Sequence, residues 1–362
     1  MILKKAEIKA YRNLSDVSVC FEDGINVIWG DNAQGKTNLL EAVYIFARGK
    51  PYRMKKETDV VPFGKNASSV EIVYSSYGHD TEMSVEYFKS QKRRMKISGG
   101  EITKAAEFIG NFKAVLFCPE HLSIIKDSPG QRRNFLDIAI SQTDKKYVYM
   151  LKKYNKLLTQ RTALLKDCIN LDGANTAVFE ALAEQIAEPC RYITEKRVQY
   201  CGRLDFYMKK SMDEMSGGRE TVNVSYESCF EDEITLECAR NMYLDFLSRE
   251  IQYKTSLYGP QRDDMEITVN GRSSRFYCSQ GQQRSLSLCA KLAEGEISNE
   301  ETGEYPVYLF DDVLSELDSK RTAYLLSKLE NKQVIITSCN EELFSPFDIK
   351  NKVRIKDGQM IN

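Results

Sequence analysis

Gly30-Asp31-Asn32-Ala33-Gln34-Gly35-Lys36-Thr37 is the stretch that decides the fold. It matches G-x-x-x-x-G-K-[ST] in full, a loop whose glycines let backbone amides wrap a phosphate without side-chain clashes. The run Ile25–Trp29 before it reads as a strand. Beyond Thr37, the apolar residues Leu39, Ala42, Val43 and Phe46 recur at helical spacing as far as Arg48. Strand, loop and helix in this order turn a helix N-terminus towards negative charge. Lys36 is expected to reach the β- and γ-phosphates of a nucleotide, and the Thr37 hydroxyl to ligate Mg²⁺. By itself the stretch says only that the chain binds a nucleoside triphosphate; a glycine turn ahead of a helix is the bland alternative.

The next signal downstream is Pro306-Val307-Tyr308-Leu309-Phe310-Asp311-Asp312, an apolar strand ending in two carboxylates. Continuous apolar strands suit a parallel sheet covered on both faces, and ligands bind at the carboxyl ends of such strands. Asp311 fits the Mg²⁺-associated aspartate, and Asp312 the residue that orients or activates the attacking water. A solvated Asp-Asp turn would look the same in isolation; the phosphate loop upstream favours the functional reading. From Lys36 to Asp311 the chain runs 275 residues, far more than compact GTPases or small-molecule kinases place between these parts. A long helical insertion between them is the layout of ABC and SMC-type ATPase heads.

Such heads need a third element that closes over the γ-phosphate of a partner copy. Ser279-Gln280-Gly281-Gln282-Gln283-Arg284 stands 32 residues before Asp311, ahead of a helix with Leu286, Cys289, Ala290 and Ala293 on one face. Cys278-Ser279-Gln280-Gly281-Gln282 takes the place of the LSGGQ of transporter ATPases; alone, Ser279 reads as a helix N-cap, but its position and order favour the functional reading. After Asp312, Val313-Leu314-Ser315-Glu316-Leu317-Asp318 fits a D-loop, the segment through which two heads sense each other; Ser315 or Asp318 could instead cap the helix that follows.

The first 120 residues otherwise read as strands, at Val17–Phe21, Val70–Tyr74, Met83–Phe88 and Ala114–Phe117. From about Arg132 the character turns to charged helices, at Tyr147–Lys166, about Thr176 to Met215, and Glu231 to about Tyr253. The expected architecture is therefore α/β, a phosphate-loop ABC/SMC-type ATPase head with an inserted helical arm. Residues 1–130 and 256–362 would form the head, and 131–255 the arm.

Composition agrees with a globular protein: 42% apolar, 28% charged, net charge −1. Any contact with nucleic acid must come from local basic patches. Ten cysteines without a CxxC pair, and two distant histidines (His79, His121), give no support to a zinc site and suggest reduced thiols in a cytosolic protein. The charged start MILKKAEIKAYRNL is no signal peptide, and no apolar run is long enough to span a membrane.

Taken together these residues resemble the RecF family. The resemblance runs over nearly the whole chain: Tyr11-Arg12-Asn13-Leu14, Gly30–Thr37, Phe117-Cys118-Pro119-Glu120-His121-Leu122, Ser128-Pro129-Gly130-Gln131-Arg132-Arg133-Asn134-Phe135-Leu136-Asp137, Gln160-Arg161, Leu164-Leu165-Lys166, Tyr258-Gly259-Pro260-Gln261-Arg262-Asp263-Asp264, Ser279–Arg284 and Phe310–Asp318. It implies an ATP-dependent homodimer with weak, DNA-stimulated ATPase activity that binds ss/ds junctions in gapped DNA. With RecO and RecR, such proteins help load RecA onto strands coated by single-strand binding protein. It further implies ATP contacts from Arg12 together with Gly30–Thr37, and Lys36 and Asp312 as the catalytic pair. Two departures stand out: Gln261 replaces the usual histidine of Gly-Pro-His-Arg-Asp-Asp, and Thr337-Ser338 follows the strand Val334–Ile336 where transporters carry a switch histidine.

A transporter ATPase subunit is the rival enzyme, but the switch histidine and conventional signature are missing. A full SMC protein needs far more coiled coil. A DNA clamp that closes on ATP without hydrolysing it keeps the same motifs. The basic run Lys89-Ser90-Gln91-Lys92-Arg93-Arg94-Met95-Lys96 reads as a hairpin tip. Lys92, Arg93 and Arg94 are its candidate DNA contacts, with further cations at Arg48, Lys50, Arg53, Lys55 and Lys56 just after the phosphate-loop helix and at Lys152, Lys153 and Lys156 on the arm. A solvated charged turn is the plain alternative.

Overall fold

The computed structural model describes residues 1–54, 56–168, 173–230, 234–339 and 348–361. Two compact units divide the chain: Met1–Leu122, Lys210–Glu220 and Ser279–Asn362 form the first, Ser123–Lys209 and Thr221–Cys278 the second. In chain order the first unit opens with β1 (Ile2–Tyr11), β2 (Leu14–Cys20), β3 (Ile25–Trp29), α1 (Lys36–Arg48), β4 (Ala67–Ser76), β5 (His79–Phe88), β6 (Arg94–Ile97), β7 (Gly100–Ile102), α2 (Ala105–Phe108) and β8 (Ala114–Phe117). The second unit holds α3 (Ser123–Lys126), α4 (Pro129–Thr143), α5 (Lys145–Asp167), most of α6 (Gly173–Ser216), β9 (Val222–Glu227), α7 (Leu236–Asp245), α8 (Leu247–Tyr253), β10 (Asp264–Val269), β11 (Arg272–Ser273) and α9 (Ser274–Tyr277). The first unit then resumes with α10 (Gln280–Thr302), β12 (Val307–Asp311), α11 (Ser319–Lys328), β13 (Val334–Ser338), β14 (Ile349–Lys356) and β15 (Gln359–Ile361).

Two six-stranded sheets build the first unit. One runs β2-β1-β4-β5-β6-β7, antiparallel throughout. The other runs β15-β14-β3-β13-β12-β8, parallel apart from the β14–β15 edge pair. Strands β8, β12 and β13 are buried at every position, as their apolar runs require of a parallel sheet covered on both faces. Helix α1 packs on β12 and β13 and also on β1 and β4, so it fills the space between the two sheets. Leu39, Ala42, Val43 and Phe46 are all buried there. Strand β13 lies between the phosphate-loop strand β3 and the acidic strand β12, so the ends of all three meet at one edge.

Strand β1 escapes a reading of the sequence because lysines interrupt it. Here Leu3, Ala6, Ile8 and Tyr11 turn inward while the cations between them stay at least partly exposed.

In the second unit α5 and α6 match the expected helices. The third expected helix, 231–253, is α7 and α8; residues 231–233 lie outside the described set. The unit is not purely helical. β9 pairs antiparallel with β10, and β10 with β11. That pairing draws 256–278 into the inserted unit, whereas 256 had been the expected return to the head. The chain cuts therefore fall at 123 and 279, not 131 and 256, and Lys210–Glu220 at the end of α6 joins the head.

The arm motifs of the family pattern are internal ties. Arg132 grips Asp264 with two bonds of 2.7 and 2.6 Å, and Arg133 donates to the Asp263 carbonyl at 2.7 Å. Arg161 is fully buried; its Nε and Nη2 donate to Glu250 at 2.9 and 2.7 Å, between the rings of Phe179 and Tyr243. Arg197 donates to Asp137 and to the Pro260 carbonyl. Gln261, at the usual histidine position, donates from Nε2 to the Tyr258 carbonyl at 2.7 Å and accepts from the Tyr154 hydroxyl. An amide carries both a donor and an acceptor group, as a neutral imidazole does.

Candidate functional site

The phosphate loop connects β3 to α1 at the carboxyl edge of the parallel sheet. Gly30 and Gly35 lie at positive φ, and a Cβ on either would stand 2.2 Å from the Ile355 carbonyl oxygen or 2.6 Å from the Leu14 side chain. Ala33 is also left-handed, at φ 64°. Gly35 is the N-cap of α1 and offers no side chain to the first-turn N–H groups, so those donors point into the loop. Neighbouring segments brace the loop from outside. Asn13 donates to the Ala33 carbonyl at 3.0 Å, the Gly358 amide to the Gln34 carbonyl at 3.1 Å, and the Asp357 amide to the Gln34 side chain.

Lys36 is buried, its ammonium donating to the Gly30 and Asp31 carbonyls at 2.7 and 2.8 Å. Cys339 Sγ lies 3.4 Å from the same nitrogen and donates to Asn32 at 2.7 Å.

Asp311 ends β12 directly beside the loop. Its Oδ1 accepts from the Thr37 and Thr337 hydroxyls, each at 2.8 Å, and its Oδ2 faces Arg53 Nη2 at 3.3 Å. Thr337 also accepts from the Asp312 amide at 3.1 Å. Asp312 sits in the left-handed region at φ 53°, which turns it away from the strand direction. Burial pushes its carboxyl above the ordinary aspartate range, the Asp311 charge adding to the rise, while Ser315 and Lys36 oppose it. The carboxylate of Asp311 and the hydroxyl of Thr37 are hard oxygen donors. They suit Mg²⁺, which commonly takes one or two carboxylates and fills its shell from phosphates and water. The guanidinium on Oδ2 shows that this carboxylate already holds a cation.

Arg12 was expected at the nucleotide. It bonds instead to α1, Nη1 to Asn38 at 2.8 Å and Nη2 to Glu41 at 2.7 Å. Buried Glu41 in turn accepts from the amides of Tyr52 and Arg53 at 3.0 and 2.8 Å, which sets the backbone that aims Arg53 at Asp311. Glu120 is the second partner of Arg53, at 2.8 Å.

Ser279 is the N-cap of α10, in a capping box with Gln282, so the capping alternative holds in this chain. Gln282 also donates to Glu220 at 2.8 Å. Ser279 and Gln280 are exposed, and none of the described contacts joins Ser279–Gln282 to the phosphate loop. Asp318 caps α11 by accepting from the Arg321 amide, and Ser315 donates to the Asp312 carbonyl at 2.7 Å. Arg321 links the two segments, pairing with Asp318 and donating to Ser285 at 2.8 Å and to the Gly281 carbonyl at 3.2 Å.

Arg93 does not project outward: it donates to the Gly49 carbonyl at 2.6 Å and pairs with Glu57 at 2.8 Å. Arg94 stacks over Phe88, and Lys92 is exposed. Arg48 donates to the carbonyls of Pro51 and Tyr52, and Lys55 lies outside the described residues.

Sequence reading missed Arg53, Glu41, Thr337, Cys339 and Arg321 as site residues. Thr337 had drawn notice only for not being histidine, and Arg53 only as one cation among several.

The family model described as the RecF/RecN/SMC N terminal domain matches residues 2–362. The chain is 35% identical to the DNA replication and repair protein RecF of Thermoanaerobacter pseudethanolicus, over 99% of this chain and 100% of that one. It is 34% identical to that of Clostridium botulinum strain Eklund 17B, over 100% of both. A solved structure described as the recombination mediator protein RecF with ATP in the RecFOR pathway superposes with a TM-score of 0.91 at 35% identity, covering 99% of this chain and 97% of that one. An SMC head bound to the C-winged helix domain of ScpA matches at TM-score 0.57 and 14% identity, covering 99% and 96%, a likeness of fold alone. The chain belongs to the RecF/RecN/SMC N-terminal domain family and, within it, to the RecF proteins.

Proposed function

We propose that this chain is an ATP-dependent DNA-binding protein of recombinational repair and replication, which dimerises on ATP and hydrolyses it slowly. On this reading it binds ss/ds junctions in gapped DNA and acts with RecO and RecR to promote RecA loading. The observation that carries it is the meeting of the glycine-built loop, Lys36 and Thr37 with Asp311 at one sheet edge, in a chain similar end to end to a RecF solved with ATP.

Lys36 would leave the loop carbonyls for the β- and γ-phosphates, a compact ammonium suited to that point charge. Thr37 and Asp311 would hold Mg²⁺, which supplies charge neutralisation on the phosphates when bound. Asp312, adjoining Asp311 and left-handed, would orient the attacking water. Ser279–Gln282, at the start of α10 with Ser279 and Gln280 exposed, would complete the site of a second copy, with Asp318 and Arg321 relaying closure between the heads.

Sedimentation with ATP, with ADP and with neither tests this. Wild type should dimerise only with ATP. Ser279→Arg should bind ATP yet stay monomeric, and Asp312→Asn should accumulate as an ATP-bound dimer with little turnover. Wild-type dimerisation in both variants, with an equal fall in hydrolysis, would sink the composite site. Phosphate release that gapped DNA fails to raise would favour a clamp that closes without turning over.

A further inference from the structure

Helix α5 carries six lysines and one buried arginine against a single acid, Asp167, at its last position. Its lysines divide by direction. Lys146 lies over the Tyr192 ring at 4.6 Å, and Lys153 pairs with Glu188 at 3.2 Å, both facing α6. Lys145, Lys152, Lys156 and Lys166 are exposed and make no ion pair among the described residues. Spacings of seven and four residues put Lys145, Lys152 and Lys156 within a wedge of about 40° on the helix surface. Tyr149 falls in the same stripe and is 59% exposed. The neighbouring acid at Asp144 is consumed at the N-cap: it accepts from the Tyr147 amide and the Tyr192 hydroxyl and pairs with Lys196. Of the acids on α6, Glu184 pairs with Arg240 and Glu188 with Lys153, neither with the outer lysines.

Solvated helix faces ordinarily intersperse both signs. A face of one sign with an aromatic set among the lysines has the composition of a strand-binding surface, where cations track phosphates and a ring stacks on a base. We infer that the outer face of α5, through Lys145, Lys152, Lys156 and Tyr149, binds the phosphate backbone of single-stranded DNA. This rests on the DNA-binding reading above and adds the surface that meets the single strand.

The test is fluorescence anisotropy with ATP, on an oligo-dT strand and on a duplex of equal length, across a salt series. The variants are the triple Lys145→Gln/Lys152→Gln/Lys156→Gln and, separately, Tyr149→Ala. All four side chains are exposed, so melting temperatures and ATP-driven dimerisation should match wild type. The triple variant should flatten log K against log salt on oligo-dT by about two units, three phosphate contacts each releasing about 0.7 of a counterion. Tyr149→Ala should weaken oligo-dT binding about five- to a hundredfold and leave the duplex alone. A wild-type salt slope in the triple variant, or equal losses on both DNAs from Tyr149→Ala, overturns the assignment while leaving the functional reading intact. Absence of any ATP-dependent DNA binding by wild type would overturn both.

Discussion

Replacing Thr337 by valine removes one oxygen and keeps the shape and β-propensity of the side chain, so it isolates the hydroxyl at the end of β13. That hydroxyl donates to buried Asp311 at 2.8 Å and accepts from the Asp312 amide at 3.1 Å. The amide keeps a second partner, the Thr337 carbonyl at 3.3 Å, so its loss is small. The carboxylate keeps Thr37 and Arg53 but loses a hydrogen bond to a charged, buried group, a term of about 1.5–3 kcal/mol. In a unit of roughly two hundred residues each kcal/mol moves the melting temperature by about 2–4 °C, so Thr337→Val should lower it by about 3–12 °C.

Scanning calorimetry without nucleotide reads this directly. Thr337→Ser, which restores the oxygen, should recover most of the loss. A second readout separates a structural effect from one on the site: the Mg²⁺ concentration for half-maximal binding of a fluorescent ATP analogue should rise in the valine variant and return with serine. A valine variant that melts within about 1 °C of wild type would refute the idea that Thr337 fixes the carboxylate.

Two pH predictions follow from side chains outside the nucleotide cluster. Burial holds His121 neutral, well below its usual 6.5, with Lys291, Arg48 and Arg53 adding to the effect, and its Nδ1 accepts from the Cys118 amide. The unfolded chain takes up this proton below about 6.5 and the folded one does not. Stability present above that pH should therefore fall by up to about 1.4 kcal/mol per unit on acidification, and His121→Asn should flatten denaturant midpoints measured between about pH 5 and 7.5. Gln261→His should fold at pH 8, where a neutral ring can still accept from Tyr154 and donate to the Tyr258 carbonyl. Below about 6.5 it should lose stability faster than wild type, because the protonated ring has no acceptor; identical pH profiles would disprove this account of Gln261.

The parts that were legible in the sequence are those whose chemistry is local. A glycine loop between strand and helix, and an apolar strand ending in Asp311-Asp312, announce themselves within eight residues. Arg53 and Thr337 do not, because their work depends on Asp311 being brought alongside from elsewhere in the chain. Capping explains Ser279 and Asp318 whatever else they do, so local pattern alone could not assign them. The setting of the basic run at Lys89–Lys96 is hidden from local pattern for the opposite reason. Its charge count was visible, but the Gly49 carbonyl and Glu57 that hold Arg93 come from a separate stretch of chain. Strand β9 was overlooked because Val222–Glu227 is short, and β10 pairs with it from the far side of α7 and α8.

What these distant residues have in common is charge balance at Asp311. A buried carboxylate beside a phosphate site would repel the nucleotide if it stood alone. Here Oδ1 is fixed by two hydroxyls and Oδ2 is met by a guanidinium whose position descends from Arg12 through Glu41 to the Arg53 backbone. The Arg53–Asp311 contact is the weaker of that arginine's two, 3.3 Å against 2.8 Å to Glu120, and the guanidinium is about a third exposed. The arginine can swing into water, but buried Asp311 would be left as an uncompensated charge unless another cation took its place. On the proposed reading, Thr37 and Asp311 would hold Mg²⁺, and that ion would supply the positive charge that Arg53 now gives to Oδ2. Glu120 keeps the arginine within reach of the same carboxylate.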